Sequence, residues 1–139
     1  MQIIYADDEP GILKQVCNFL QQHGHMVCTI NTTNILDFQE KLVTLLSGDF
    51  VPDVVIIGGH NLLRDREGHS VFGFDIEGFV INKWLETQDL PPTCRYILFS
   101  RDQALVEKAQ QRREWGFQTG ILKNSPEALA HLLQAIERD

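Results

Sequence analysis

Apolar positions along this chain follow two alternating rhythms, short unbroken runs and stripes at helical spacing. Ile3-Ile4-Tyr5-Ala6 is a β-type run that stops at Asp7-Asp8-Glu9-Pro10. A proline opens a helix without loss, because its missing N–H would be unpaired there anyway. The helix it opens carries Leu13, Val16, Cys17 and Leu20 on one buried face, and Gly24 ends it near His23 and His25. Met26 to Ile30 reads as a second strand. Asn31 to Asn34 supply capping residues for a helix whose stripe is Ile35, Phe38, Leu42 and Leu45, closing at Gly48. Pro52-Asp53 then leads into Val54-Val55-Ile56-Ile57, a β-branched run of the kind buried on both faces of a parallel sheet.

After a long irregular stretch, Phe79 to Glu86 predicts a third helix with Val80, Ile81, Trp84 and Leu85 inward, and Tyr96 to Phe99 a fourth strand. Asp102 to Trp115 predicts a fourth helix with a thin stripe of Leu105 and Ala109, closed by Gly116. Thr119 to Leu122 is the fifth strand. Ser125 is the expected cap and Pro126 the expected start of the last helix, with Leu129, Leu132, Leu133 and Ile136 as its stripe. A strand–helix unit repeated about five times, with right-handed crossovers, makes an α/β fold: a doubly wound parallel sheet with helices on both faces. Ligand sites in such sheets lie beyond the carboxyl ends of the strands. That geometry singles out Asp7 and Asp8 after the first strand, Gly58 after the third, Ser100 after the fourth and Lys123 after the fifth. Two carboxylates, a hydroxyl and an ammonium at one edge suit a hard cation on oxygen ligands and a phosphoryl group on the lysine and serine.

Composition narrows the partners. The chain has 139 residues, 43% of them hydrophobic, enough for one core held by packing alone, so residues 1–139 are expected to form a single domain. Nineteen acidic against twelve basic residues give a net charge of −7, the wrong sign for a surface that replaces counterions at nucleic-acid phosphates. Three scattered cysteines, Cys17, Cys28 and Cys94, give neither a zinc motif nor a disulfide framework. No basic leader or run near ~18 apolar residues is present, which predicts a cytoplasmic protein with no membrane association. No G-x-G-x-x-G, P-loop or nucleophile–His–acid order is legible, so an enzyme on this scaffold is the weakest expectation.

These fragments, in this order, resemble a bacterial response-regulator receiver domain of the flavodoxin-like fold. IIYADDEPGILKQVCNFLQQHGHMV is similar to the family's first strand, acidic pair and first helix, and PDVVIIG to its third strand. EGFVINKWL is similar to the third helix, ILFS to the fourth strand with its terminal hydroxyl, and GILKNSPEALAHLLQAI to the last strand, lysine and helix. The resemblance implies the strand order 2-1-3-4-5, a Mg²⁺ site at the acidic pair, and protein partners: a histidine kinase, an output protein or a second copy. It further implies a partner surface on the fourth and fifth helices and fifth strand, here with Gly120 and the candidate anchor Trp115.

Four positions and one segment depart from the family pattern. Gly58 stands where the family has its phosphoacceptor aspartate, Arg101 where a small residue follows the hydroxyl, Gly120 where the switch aromatic is expected, and Asn124 where a proline follows the lysine. The segment 59–77 is about ten residues longer than the family's link, beyond the ~12–15 residues at which an unstructured connection tends to be functional. Leu62, Leu63, Val71, Phe72 and Phe74 are expected to pack as a lid. The chemistry is therefore expected to be altered on a retained scaffold, a pseudo-receiver that signals by contact, with only weak Mg²⁺ on Asp7 and Asp8. Two alternatives stay open: a phosphorelay receiver using Asp65, Asp75 or His60 as substitute acceptor, and a small ligand-binding or enzymatic protein.

The bland readings are equally concrete. Asp7-Asp8-Glu9 places negative charge at a helix N-terminus. Lys123 is expected to bridge permanently to Asp8 rather than wait for phosphate. Ser100 is a strand-end cap with Asp102 as competitor, and His60 and His69 are solvent-exposed loop histidines rather than metal ligands. With one carboxylate fewer, Gly58→Asp is expected to strengthen Mg²⁺ binding.

Overall fold

A computed structural model describes residues 1–58, 85–111 and 116–138. Five parallel strands form one sheet in the order β2-β1-β3-β4-β5: β1 (Gln2–Asp7), β2 (Met26–Asn31), β3 (Val54–Gly58), β4 (Arg95–Ser100) and β5 (Thr119–Leu122). Four described helices cover it: α1 (Pro10–Gln22), α2 (Ile35–Leu46), α3 (Gln103–Gln111) and α4 (Ala128–Glu137). The alternation of strand side chains splits the core in two. Ile3, Tyr5, Val54, Ile56, Ile97 and Phe99 pack with Leu13, Val16 and Leu20 of α1 and Leu132 and Ile136 of α4. Ile4, Ala6, Val55, Ile57 and Leu98 pack on the other face with Phe38 and Leu42 of α2 and Leu105 and Ala109 of α3. The doubly wound architecture expected from the strand–helix rhythm is the one observed. Among the described residues no helix is long and apolar enough to cross a membrane.

Local chemistry explains the helix ends. Asn34 caps α2, its side chain accepting the Asp37 N–H at 2.9 Å. After α1, the His25 N–H bonds to the Leu20 carbonyl and that of Gly24 to Gln21, with Gly24 at φ 86°, the left-handed glycine closure that satisfies the last carbonyls. The last helix departs from expectation. Ser125 and Pro126 lie in a turn and α4 begins at Ala128, because the Ser125 side chain and carbonyl accept the Glu127 and Ala128 N–H groups before the helical ladder starts. Its inward residues are accordingly Ala128, Leu132, Ala135 and Ile136, with Leu129 and Leu133 at the margin. Cys17 is likewise only half-buried at the rim of α1. The expected lid at 59–77, most of the predicted third helix with Trp84, and Trp115 lie outside the described residues.

Arg95, at the start of β4, holds the far end of the molecule together. Its guanidinium donates to the carbonyls of Ala135 (3.1 Å), Ile136 (2.6 Å) and Arg138 (2.7 Å), a cationic cap on the C-terminus of α4. Gln118 adds a further bond to the Ala135 carbonyl at 3.1 Å. Hydrogen bonds from a charged donor contribute ~1.5–3 kcal/mol net, so Arg95→Ala should lower unfolding free energy by about 2 kcal/mol. Urea titration followed by circular dichroism checks this, and an unchanged midpoint would show that water replaces the guanidinium without loss.

Candidate functional site

The carboxyl ends of β1, β3, β4 and β5 bring Asp7, Gly58, Ser100 and Lys123 to one edge, as the topology requires. At its centre the Asp7 carboxylate is fully buried. The Lys123 ammonium sits 2.7 Å from Asp7 Oδ2 and 2.9 Å from Oδ1, with its own side chain 2% exposed. The Tyr5 hydroxyl donates to Oδ2 at 2.5 Å, and the Glu9 N–H to Oδ1 at 3.1 Å. Each carboxylate oxygen thus carries two partners. Burial pushes the Asp7 carboxyl above its ordinary range, while the hydrogen bonds from Lys123 and Tyr5 and the lysine's charge pull it back. Burial also raises the Tyr5 phenol, and the adjacent Asp7 charge raises it further, so the hydroxyl stays protonated and donates.

The lysine's partner is therefore Asp7, not the expected Asp8. Strand alternation decides this: Asp7 closes β1 with Ala6 and Tyr5 inside the sheet, whereas Asp8 is already beyond the strand and only part-buried. Glu9 forms a second layer, with Oε1 3.5 Å from Lys123 and Oε2 2.7 Å from Arg101. The Arg101 side chain is 57% exposed and that of Glu9 33%, so this outer pair contributes little stability, ~0–1 kcal/mol. Its place is nevertheless informative: the residue expected to be small lays a guanidinium over the pocket.

Gly58 is constrained by the same cluster. A Cβ built there collides with Asp7 Oδ2, and would lie 2.8 Å from Tyr5 Cε1 and 2.9 Å from the Ala6 carbonyl oxygen. The space that a side chain at 58 would use is already filled by the Tyr5–Asp7 unit. Gly58→Asp accordingly meets a steric barrier, which corrects the expectation that it simply adds a Mg²⁺ ligand. Asp7, Asp8 and Glu9 each offer a carboxylate oxygen within 4.8 Å of the others. Both oxygens of Asp7 are engaged, however, so a Mg²⁺ ion held by this cluster would have to displace one of those hydrogen bonds.

Ser100 is buried and its Oγ accepts the Asp102 N–H at 3.1 Å, while Asp102 Oδ1 accepts the Leu105 N–H at 3.2 Å. Asp102 is the cap of α3, and Ser100 supports the turn that feeds it. Gly120, expected on a partner surface, is buried instead. A Cβ there would lie 2.7 Å from the Val106 carbonyl oxygen and 3.2 Å from Ala109 Cβ, so the glycine lets α3 close directly onto β5. His60, Asp65, His69 and Asp75 lie outside the described residues.

Tyr5 was not legible as a site residue because it reads as one more apolar position in a strand. Its signal was present: two residues before Asp7 in a strand, the two side chains share a face.

The fold is that of response-regulator receiver domains. Solved structures similar to the chain include the chemotaxis response regulator CheY4 of Vibrio cholerae, at TM-score 0.65 and 22% identity, covering 97% of each chain. A response regulator from Desulfuromonas acetoxidans superposes at TM-score 0.66 with 17% identity, over 99% of this chain and 94% of its own. A third, described as an atypical orphan response regulator with a phosphorylation-independent regulatory mechanism, gives TM-score 0.63 at 12% identity, over 99% and 92%. No protein-family model matches the sequence, and no curated protein does.

Removing one member of a buried ion pair strands the other, at a cost of ~3–5 kcal/mol, whereas replacing both by apolar groups is often close to neutral. Lys123→Met should therefore lower unfolding free energy by about 3 kcal/mol, and the double variant Asp7→Leu/Lys123→Met should recover most of that loss. Gly58→Ala, forced against a backbone carbonyl, should cost about 2 kcal/mol. Chemical denaturation of the set gives the coupling directly. Additive single and double effects would mean the pair is solvated.

Proposed function

We propose that the chain is a receiver-like signal-transduction module of the two-component type that works without phosphorylation, by protein–protein contact. The observation that carries this reading is the filled acceptor position: Gly58 has no nucleophile, and Tyr5 and Asp7 occupy the volume one would need. Lys123, the cation that would meet a phosphoryl oxygen, is committed to Asp7. The structural likeness to an atypical regulator described as phosphorylation-independent supports the same reading.

Output in such a module depends on surfaces rather than on a covalent state. The surface proposed for a kinase, an output protein or a second copy lies along β5 between α3 and α4, where Val106, Gln110, Thr119, Ile121 and His131 line a groove of about 360 Å³. With Gly120 sealed under α3, no aromatic on β5 can move between two positions to couple this surface to the acidic pocket. A ligand that does not bind two states differently shifts nothing, so one conformation should dominate. Mg²⁺ is expected to bind weakly at most, at Asp8 with a displaced Asp7. A module of this kind would act in the cytoplasm.

Incubation with Mg²⁺ and acetyl phosphate should leave the intact mass unchanged. Beryllofluoride, which needs an acceptor carboxylate, should leave the amide resonances of α3, β5 and α4 where Mg²⁺ alone puts them. A phosphoryl adduct mapped to Asp65, Asp75 or His60 would overturn the reading in favour of a phosphorelay receiver with a substitute acceptor.

A further inference from the structure

We propose that the outer edge of β2 takes an extended segment of another protein whose side chains alternate in charge, carboxylates on the α1 side and cations on the α2 side. The two edges of the sheet are unlike. The Lys123 N–H bonds to the Ser100 carbonyl at 2.8 Å, so odd-numbered residues of β5 turn their backbone groups to β4, and Gly120 and Leu122 turn theirs outward. Both of those carbonyls are taken: Gln110 of α3 donates to that of Gly120 at 2.7 Å and the Ser125 N–H to that of Leu122 at 3.2 Å. On β2 the Met26 N–H bonds to the Met1 carbonyl and that of Thr32 to Asp7, so Val27, Thr29 and Asn31 face out. Among the described residues only the Lys41 ammonium, 2.8 Å from the Asn31 oxygen, bonds on that side.

Edge strands that must stay single are kept short or carry charges, prolines or bulges. β2 runs for six residues, Met-Val-Cys-Thr-Ile-Asn, with no charge and no proline, in unbroken register with β1. The sign of the charge differs between its two sides. Toward α1 a groove of about 340 Å³ holds Lys14 beside Cys17 and Asn18, and among the described residues Lys14 has no carboxylate partner. Toward α2 a groove of about 550 Å³ holds Asp37 and Glu40 against Lys41, whose ammonium lies 3.0 Å from Asp37. The formal charge is thus positive on one side of the edge and negative on the other.

A strand laid on β2 sorts its side chains by this difference. Val27 packs toward α1 and Ile30 toward α2, and a residue in an added strand points to the same side as the one opposite it. Residues opposite Val27, Thr29 and Asn31 therefore reach the lysine, and those opposite Cys28 and Ile30 reach the carboxylates. Backbone hydrogen bonds supply the affinity of such an addition, and alternate side chains its specificity. The same difference works against a second copy. β2 has no charged side chain to offer, and a two-fold axis between antiparallel edges sets Lys14 beside its own image and the acidic groove beside its own. A segment of one sign on both faces gains on one side and loses on the other.

The probe is the acetylated, amidated peptide Thr-Lys-Glu-Val-Glu-Lys-Thr, whose glutamates share one face of a strand and whose lysines share the other. It is titrated into the full chain at about 0.15 M salt, where long-range attraction is screened. Amide hydrogen exchange at Val27, Thr29 and Asn31 should slow about ten-fold with peptide at about ten times its Kd, while Cys28 and Ile30 are protected throughout. Replacing both glutamates by lysine, or both lysines by glutamate, should weaken binding about five-fold; the all-lysine peptide is included in this even though the chain carries a net charge of −7. Lys14→Glu, an exposed change on α1, makes both sides acidic and should reverse the order, the all-lysine peptide then binding about five-fold tighter than the mixed one. Thr29→Pro removes an outward N–H without touching the β1 ladder and should abolish binding; if that variant does not fold, Lys14→Glu decides. Unchanged exchange at the three outward amides, equal affinity for the three peptides, or a preference that survives Lys14→Glu each overturns the proposal. Slowing of the same amides with protein concentration alone gives the edge to a second copy and overturns it as well.

Discussion

One buried carboxylate organises the working edge of this molecule. Asp7 lies inside the sheet and out of contact with water, and an ionised group there is tolerable only with a paired charge and filled hydrogen bonds. Lys123, the Tyr5 hydroxyl and the Glu9 N–H supply both. Everything else at the edge follows from that requirement. The lysine at the end of β5 is drawn toward the end of β1 past β4 and β3, the tyrosine ring lies against Gly58, and position 58 is left with room for a hydrogen.

The two glycines do related work at different places. At Gly58 the absence of a side chain accommodates a polar cluster, and at Gly120 it accommodates a helix backbone. At both positions neighbouring atoms already fill the volume that a side chain would take. Arg101 ties Glu9 from the far side, so that two cations of the chain, Arg101 and Lys123, flank its carboxylate.

Much of the fold was legible in the sequence because its signals are redundant. The β3 run Val54–Ile57 and the α2 stripe each state burial and period at once, and the structure buries that run together with Phe38 and Leu42, with Leu45 part-buried beside them. Legibility fell where one residue had to choose between near-equal partners. Ser125-Pro126 is a good helix start by local rules, yet the turn consumes its hydrogen bonds and the helix begins at Ala128. Lys123 had two adjacent aspartates within reach, and only the inward direction of the last β1 residue decides between them. Tyr5 was hidden because its ring satisfies the apolar pattern while its hydroxyl belongs to the site.

The close approach at Gly58 also limits which neighbouring sequences the chain can reach. A first carbon at that position meets the Ala6 carbonyl, which is backbone and cannot turn aside, together with the Asp7 and Tyr5 side chains. Substitutions at residues in contact do not add. An aspartate at 58 becomes tolerable only after Tyr5 or Asp7 has changed, and a change at Asp7 first strands Lys123. An aspartate at 58 is therefore separated from the present sequence by coupled changes rather than by a single codon.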